Sequence, residues 1–173
     1  MKKKETFSAI TRFNQMNVSC GDSPKGYGKA YFALRSFKPG EVVIKGFGVP
    51  GNHQTSNFSV QIGLERHFIP RKWTGKYMNH VCVKPACKVV TRSTGFPDWV
   101  ADRHIAKGEE ITYNYAMSEF EWSDVAVEKV IWCLCKTKKR NHKIPSFSLL
   151  KHNTKLKLKN KLSIYLQNLC DAL

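Results

Sequence analysis

Gly108-Glu-Glu-Ile-Thr-Tyr-Asn-Tyr115 is the stretch on which the reading of this chain turns. Taken alone, it is a glycine turn running into a half-buried strand with alternating faces, and Tyr113 and Tyr115 are then two core aromatics with polar tips. Its weight comes from what lies upstream. Asn79-His80 precedes it by some thirty residues, and a Gly26-Tyr27-Gly28 turn precedes that pair. Glycine tolerates positive φ and has no side chain to hold a ligand away from the backbone, yet an isolated Gly-x-Gly is most simply an ordinary turn. An isolated Asn-His is a strand-end pair whose side chains are hydrogen-bonded. The order and spacing of the three pieces carry the inference.

The wider segments sharpen it. Lys25-Gly-Tyr-Gly-Lys-Ala-Tyr-Phe-Ala-Leu-Arg-Ser-Phe-Lys-Pro-Gly-Glu-Val-Val-Ile reads as a glycine turn, a strand, and a Pro-Gly-Glu turn into a second strand. It resembles the opening of the SET domain of protein-lysine methyltransferases. Tyr77-Met-Asn-His-Val-Cys-Val-Lys-Pro-Ala-Cys is similar to that family's Asn-His-Ser-Cys-x-Pro-Asn segment, and Gly108 to Tyr115 to its closing Gly-Glu-Glu-Leu-Thr-x-Asp-Tyr. The resemblance runs from Lys25 to Tyr115. It continues more weakly through Ser118-Glu-Phe-Glu-Trp and Cys133-Leu-Cys135 to Ile144, Phe147 and Leu150, where a short, single-domain branch carries its post-SET cysteines and apolar anchors.

The resemblance implies a mainly β fold of several small sheets with a pseudoknot near the active site; the residue spacing of the tail adds a C-terminal α-helix. It implies an enzyme that transfers a methyl group from S-adenosylmethionine to a protein lysine, in a histone or another basic protein. Gly26, Tyr27, Gly28, Asn79, His80 and Tyr115 would hold the cofactor. Tyr115 would stand at the methyl-transfer point, and Tyr113 would set the number of methyls by holding a water in the room that a further methyl needs. A target lysine is almost wholly protonated at neutral pH, and removing its proton costs roughly 4 kcal/mol. No base stands in the motif, so an apolar channel beside a sulfonium would disfavour the ammonium, and catalysis is mainly positioning.

The chain departs from the pattern at several points. Asn114 replaces the usual aspartate, Ala86 stands where asparagine is usual, and one extra residue separates Asn79 from Pro85. Relatives bind zinc with a Cys-x-Cys-x-x-x-x-Cys joined by a cysteine beside the Asn-His motif. Here Cys133 and Cys135 are present and Cys87 is taken as the core sulfur, but Arg140 occupies the place of the third late cysteine and His142 is the nearby substitute. Three thiolates fall short of a tetrahedral site, so the expectation is buried reduced thiols rather than zinc. These departures also support an alternative, a non-catalytic SET-like domain binding peptide or nucleic acid.

Composition bounds the rest. With 173 residues and 42% hydrophobic content the chain has room for one sizeable core. The organisation expected is an N-terminal segment over 1–24, a SET-like domain over 25–116, a post-SET-like segment over 117–150 and a basic helix over 151–173. No apolar run approaches a membrane span, and Met1-Lys-Lys-Lys-Glu-Thr-Phe-Ser lacks a signal peptide's apolar stretch, so an intracellular protein with reduced cysteines is expected. Formal net charge is +16. Ten of the 29 basic residues fall from Lys136 onward, against Asp171 alone, while eight of the 13 acids lie between Asp98 and Glu128. The basic flank reads first as a solvated face. Contact with nucleic acid, in chromatin or another nucleoprotein, is the sharper reading, since an anion would bridge a cationic enzyme to a lysine-rich substrate. Helix signals are scarce before residue 117. Ser123 to Ile131 offers a short helix capped by Ser123, and Leu162, Leu166, Leu169 and Leu173 recur along one helical face.

Overall fold

The computed structural model describes residues 5–52, 56, 58–122, 133 and 142–171. The expected helix at Ser123 to Ile131, Cys135, Arg140 and the lysines between Lys136 and Lys139 lie outside them. The first element is one that the sequence hid. Helix α1, Phe7–Asn17, starts at Thr6, whose side chain accepts a hydrogen bond from the Ala9 amide at 3.2 Å. Its buried residues are Ile10, Asn14 and Asn17. Two of these three are asparagines, so the helical face has little hydrophobic signature. Asn14 is bound on both sides of its amide: Nδ2 donates to the carbonyls of Lys45 at 2.9 Å and Trp73 at 2.6 Å, and Oδ1 accepts from the Lys45 amide at 2.8 Å. The N-terminal segment over 1–24 is therefore, within its described part, chiefly a helix followed by strand β1, Val18–Asp22.

The strands form three small sheets. β1 pairs antiparallel with β2, Lys29–Ala33. β3, Val42–Lys45, joins β7, Asn79–His80, β8, Cys87–Thr91, β9, Pro97–Ala101, and β10, Thr112–Tyr113, in the order β3-β9-β8-β10-β7. β4, Gly48–Gly51, β5, Val60–Gly63, and β6, Arg66–Pro70, make the third, with β6 central. The late strand β10 runs between β8 and β7 and parallel to both. The chain thus inserts its closing motif between two earlier strands, and places it beside Asn79-His80. Trp99, fully buried on β9, fixes the packing there. Gly75 has φ +112 and faces the Trp99 ring, which a Cβ would meet at 2.3 Å, so only glycine fits that corner.

The basic tail is two helices rather than one. α2, His152–Leu158, runs into a 3₁₀ turn at Lys159–Lys161, and α3 is Ile164–Asp171. Between them Leu162 takes extended backbone with ψ 157 and is wholly buried. Leu162, Leu166 and Cys170 join the same core as Trp99 and Tyr113. Each leucine buried this way is worth roughly 2 kcal/mol. The Ser163 amide donates to the Met117 carbonyl at 2.8 Å, which ties the tail to the turn after β10.

Candidate active site

Asn79 lies opposite Thr112 and His80 opposite Tyr113 in the parallel pairing of β7 and β10. Two motifs thirty residues apart in sequence thereby become neighbours, and a cavity of about 400 Å³ opens beside them. Its wall contains Tyr27, Gly28, Asn79, Tyr113 and Tyr115, five of the seven residues that the sequence singles out for cofactor binding and catalysis. Gly26 and His80 are not in that wall. Phe58, Tyr77, Met78, Glu119 and Trp122 add to it, so it is aromatic with a few polar groups, as ligand sites are.

The glycine turn is closed by its own backbone: Gly26 N donates to the Ser23 carbonyl at 3.1 Å and Ser23 N to the Gly28 carbonyl at 2.6 Å. Gly28 has φ +80 and nothing within 4 Å of where a Cβ would lie. Its backbone therefore borders open space. The group that assembles the site is Glu110, a residue of the Gly108–Tyr115 pattern without a role of its own in the sequence reading. Its Oε1 accepts from Ser23 Oγ at 3.1 Å and from Asn79 Nδ2 at 3.0 Å, and its Oε2 pairs with Lys25 Nζ at 3.0 Å. Asn79 Nδ2 also donates to the Lys29 carbonyl at 3.2 Å. One carboxylate thus holds all three motifs in register.

Tyr115 begins a 3₁₀ turn, Tyr115–Met117, which Asn114 caps by accepting the Ala116 amide at 3.1 Å. Its hydroxyl donates to the Met78 carbonyl at 2.8 Å. The ring meets those of His80 and Trp122 edge-on, with centroids 5.1 and 6.1 Å away. Tyr113 stands edge-on to Trp99 at 5.7 Å, and its Oη lies 3.3 Å from Ser118 Oγ. Burial pushes the pKa of both phenols up, so both keep their protons.

Behind Tyr115 the polar groups are sulfur and imidazole. The Tyr115 amide donates to His80 Nδ1 at 3.1 Å. Burial, and then the neighbouring His142, push the His80 pKa down to about 3, so the ring is neutral. With Nδ1 accepting, its proton sits on Nε2, which points at Cys82 Sγ at 3.0 Å. Cys82 Sγ is in turn 3.3 Å from Cys133 Sγ and 3.1 Å from His142 Nε2.

The core sulfur beside the motif is therefore Cys82, which corrects the assignment to Cys87. Cys87 is fully buried in β8, and its ionisable neighbours among the described residues are Arg103, Asp102 and Glu109 rather than Cys133. The other two positions of the expected set are Cys133, which is in the cluster, and Cys135, which lies outside the described residues. Cys82, Cys133 and His142 are donor types that zinc takes, and the two spacings from Cys82 are a little under the ~3.6 Å edge of a zinc tetrahedron. They supply three of the four ligands that such a site needs. One ring nitrogen of His80 lies within 4.8 Å of both sulfurs; protonated on Nε2, the ring donates a hydrogen bond to the Cys82 sulfur.

A family model described as the SET domain matches residues 28–116, slightly more than half of the chain. One similar solved structure is described as a "putative histone methyltransferase" of Plasmodium falciparum; the identity is 20%, the TM-score 0.45, and the match covers 56% of this chain and 90% of that one. At those values the likeness carries no argument about activity. No curated protein matches.

Proposed function

The chain belongs to the SET-domain family, and on that premise we propose that it methylates a lysine side chain of a protein with S-adenosylmethionine. The observation that carries this reading is a single aromatic cavity whose wall joins Tyr27 and Gly28, Asn79, and the Tyr113–Tyr115 pair. S-adenosylmethionine supplies a methyl group on a cationic sulfur. Tyr27, Gly28 and Asn79 would bind it, while Gly26 and His80 support the site from outside that wall by holding the turn and Tyr115. Tyr77, Tyr113, Tyr115 and Trp122 would hold the aliphatic stem of the target lysine and exclude water from it. Tyr115 would align the amine, and Tyr113 would limit the room left for further methyls.

We assign a structural zinc ion to Cys82, Cys133 and His142. It would hold the segment carrying Cys133 against Trp122 and Tyr115, which already share a small apolar cluster with Ile144 and Val81. For the basic flank, Lys159 pairs with Asp171 and Lys161 with Asp102, so the tail's exposed charge among the described residues is carried by Lys151 and Lys157. These two, with Lys143, Lys155 and the basic residues from Lys136 to Arg140, are the proposed contacts to an anionic partner such as nucleic acid. No helix among the described residues is long and apolar enough to cross a membrane.

The deciding experiment is incubation with labelled S-adenosylmethionine and a panel of histones and ribosomal proteins, read by mass spectrometry, beside calorimetry of cofactor binding. Transfer to lysine, with binding weakened strongly by Asn79→Ala, is expected. Binding without transfer would favour a non-catalytic domain, and the absence of both would remove the proposal.

A further inference from the structure

Glu119 is the acidic residue whose position the proposed chemistry does not yet use. It is 2% exposed, lies in the wall of the same cavity as Tyr113 and Tyr115, and takes part in none of the ion pairs among the described residues. Burying a carboxyl without a counter-ion is costly, and a fold seldom keeps one there without a use. Its Oε1 accepts from Ser118 Oγ at 2.8 Å and from the Gln61 amide at 3.2 Å, while Oε2 is buried without a hydrogen-bond partner.

The hydrogen bonds around it have a direction. A serine hydroxyl has one proton, and at 2.8 Å that of Ser118 goes to the carboxylate. The contact of 3.3 Å between Ser118 Oγ and Tyr113 Oη must then run the other way, with the phenol donating to the serine. Every proton in the chain Tyr113–Ser118–Glu119 points toward Glu119. The lone pairs of Tyr113 Oη, at the head of the chain, are left to accept from a donor in the cavity.

We propose that Glu119 takes up, through Ser118 and Tyr113, the proton that the target lysine must lose before it can act as a nucleophile. An N–H bond of the ammonium breaks as its proton passes to Tyr113 Oη; the phenol's proton passes to Ser118 Oγ, and the serine's to Glu119 Oε1. The nitrogen keeps the electron pair, the two hydroxyls end as they began, and the carboxylate becomes a carboxylic acid. It gives the proton to solvent when product leaves. The inference rests on the reading of the chain as a lysine methyltransferase.

The groups facing Glu119 are suited to this. They are the phenols of Tyr113 and Tyr115, the Ser118 hydroxyl, Gln61 from β5, and the Phe147 amide, which donates to the Glu119 carbonyl at 2.8 Å; none of them carries a positive charge that would hold the carboxylate ionised. Burial pushes the Glu119 pKa up to about 7, which makes it a competent acceptor near neutral pH rather than a fixed anion.

The test is the pH–rate profile of single-turnover methylation, using whichever histone or ribosomal protein of the panel the parent accepts. The parent should show a limb that falls below about pH 7. Glu119→Gln should lower the rate roughly a hundredfold at pH 7 and abolish that limb, leaving a rate that follows deprotonation of lysine alone. Ser118→Ala keeps the carboxyl and cuts the relay, and should lose at least tenfold with the same change of profile. Calorimetric affinity for S-adenosylmethionine and the circular dichroism spectrum should be unchanged in both variants. A parent-like profile in a folded Ser118→Ala or Glu119→Gln overturns the inference and leaves the proposed function standing. A parent that binds the cofactor but methylates nothing in the panel overturns both.

Discussion

Tyr113 and Tyr115, two residues apart, look into different parts of the molecule. Tyr113 faces oxygen: a serine hydroxyl and, through it, a buried carboxyl. Tyr115 faces nitrogen and sulfur, with its amide on His80 Nδ1 and, through that ring, Cys82, Cys133 and His142. The oxygen side can move protons because its groups are hydroxyls in series ending on a carboxyl of raised pKa. The sulfur side is suited to holding, since the His80 imidazole is neutral and one of its nitrogens lies with the Cys82 and Cys133 sulfurs within 4.8 Å of one another. One short segment thus separates a part suited to chemistry from a part suited to rigidity.

The largest effect expected concerns the residue at the boundary. Tyr115→Phe removes the hydroxyl that donates to the Met78 carbonyl but leaves the ring between His80 and Trp122. Single-turnover rates should fall roughly a hundredfold or more, with cofactor affinity changed only slightly, because a group that acts in the transition state affects rate more than binding. A parent-like rate would show that Tyr115 only packs.

On the sulfur side, purified protein should carry one zinc per chain by elemental analysis. Cys82→Ser should remove it and lower the thermal midpoint by roughly 10 °C, as loss of a few kcal/mol would in a chain of this size. Cys87→Ser should leave the zinc in place. Retention of zinc in Cys82→Ser, or its loss in Cys87→Ser alone, would make Cys87 the core sulfur after all, and protein free of zinc would return all the thiols to the reduced, packed state expected from the sequence.

The same contrast explains what was legible in the sequence. That Gly28, Asn79, Tyr113 and Tyr115 meet in one cavity wall was readable, because short strands and turns present fixed faces and the motifs name the residues directly. Cys82 was legible too: in Asn79-His-Val-Cys82 it holds the place of the cysteine in Asn-His-Ser-Cys, and taking Cys87 as the core sulfur overlooked that match. What spacing does not reveal is the path just beyond it, where Lys84 has φ 51, a left-handed conformation ahead of Pro85. Glu119 was invisible for another reason: a glutamate among Ser118, Phe120 and Glu121 reads as surface, and only the packing of Gln61 and Phe147 over it makes it interior. Helix α1 was missed because asparagines, satisfied by distant carbonyls, occupy its buried face.

On the oxygen side, the raised pKa of Glu119 makes a stability prediction independent of turnover. The folded carboxyl titrates near 7 and the unfolded one near about 4.3. Between those values the folded state holds a proton that the unfolded state has lost, so stability is fully present below the lower value and falls as pH rises through the upper one. By pH 8 the loss is on the order of 3 kcal/mol. Glu119→Gln cannot ionise, so its thermal midpoint should exceed the parent's by several degrees at pH 8 and match it at pH 4. Asp98, which burial holds near 6, contributes the same slope to both proteins and cancels. A difference independent of pH would mean that Glu119 is not buried as the acid described here.

The smallest effect tests the turn that delivers Cys82 to its partners. Lys84 is exposed, and its hydrogen bond in the turn is made by its backbone carbonyl, which accepts from Arg103 Nε at 3.3 Å. Replacing its side chain therefore changes little except the backbone preference. A non-glycine residue in the left-handed region costs on the order of 1 kcal/mol, and glycine relieves this at some expense in unfolded-chain entropy, for a net gain near ~0.5 kcal/mol. Lys84→Gly should raise the thermal midpoint by about 1–2 °C with zinc content and the pH dependence from Glu119 both unchanged. If the substitution instead lowers zinc content, the strained turn is part of the metal site, and the division between a proton-moving side and a holding side must be extended to the backbone between Cys82 and Cys87.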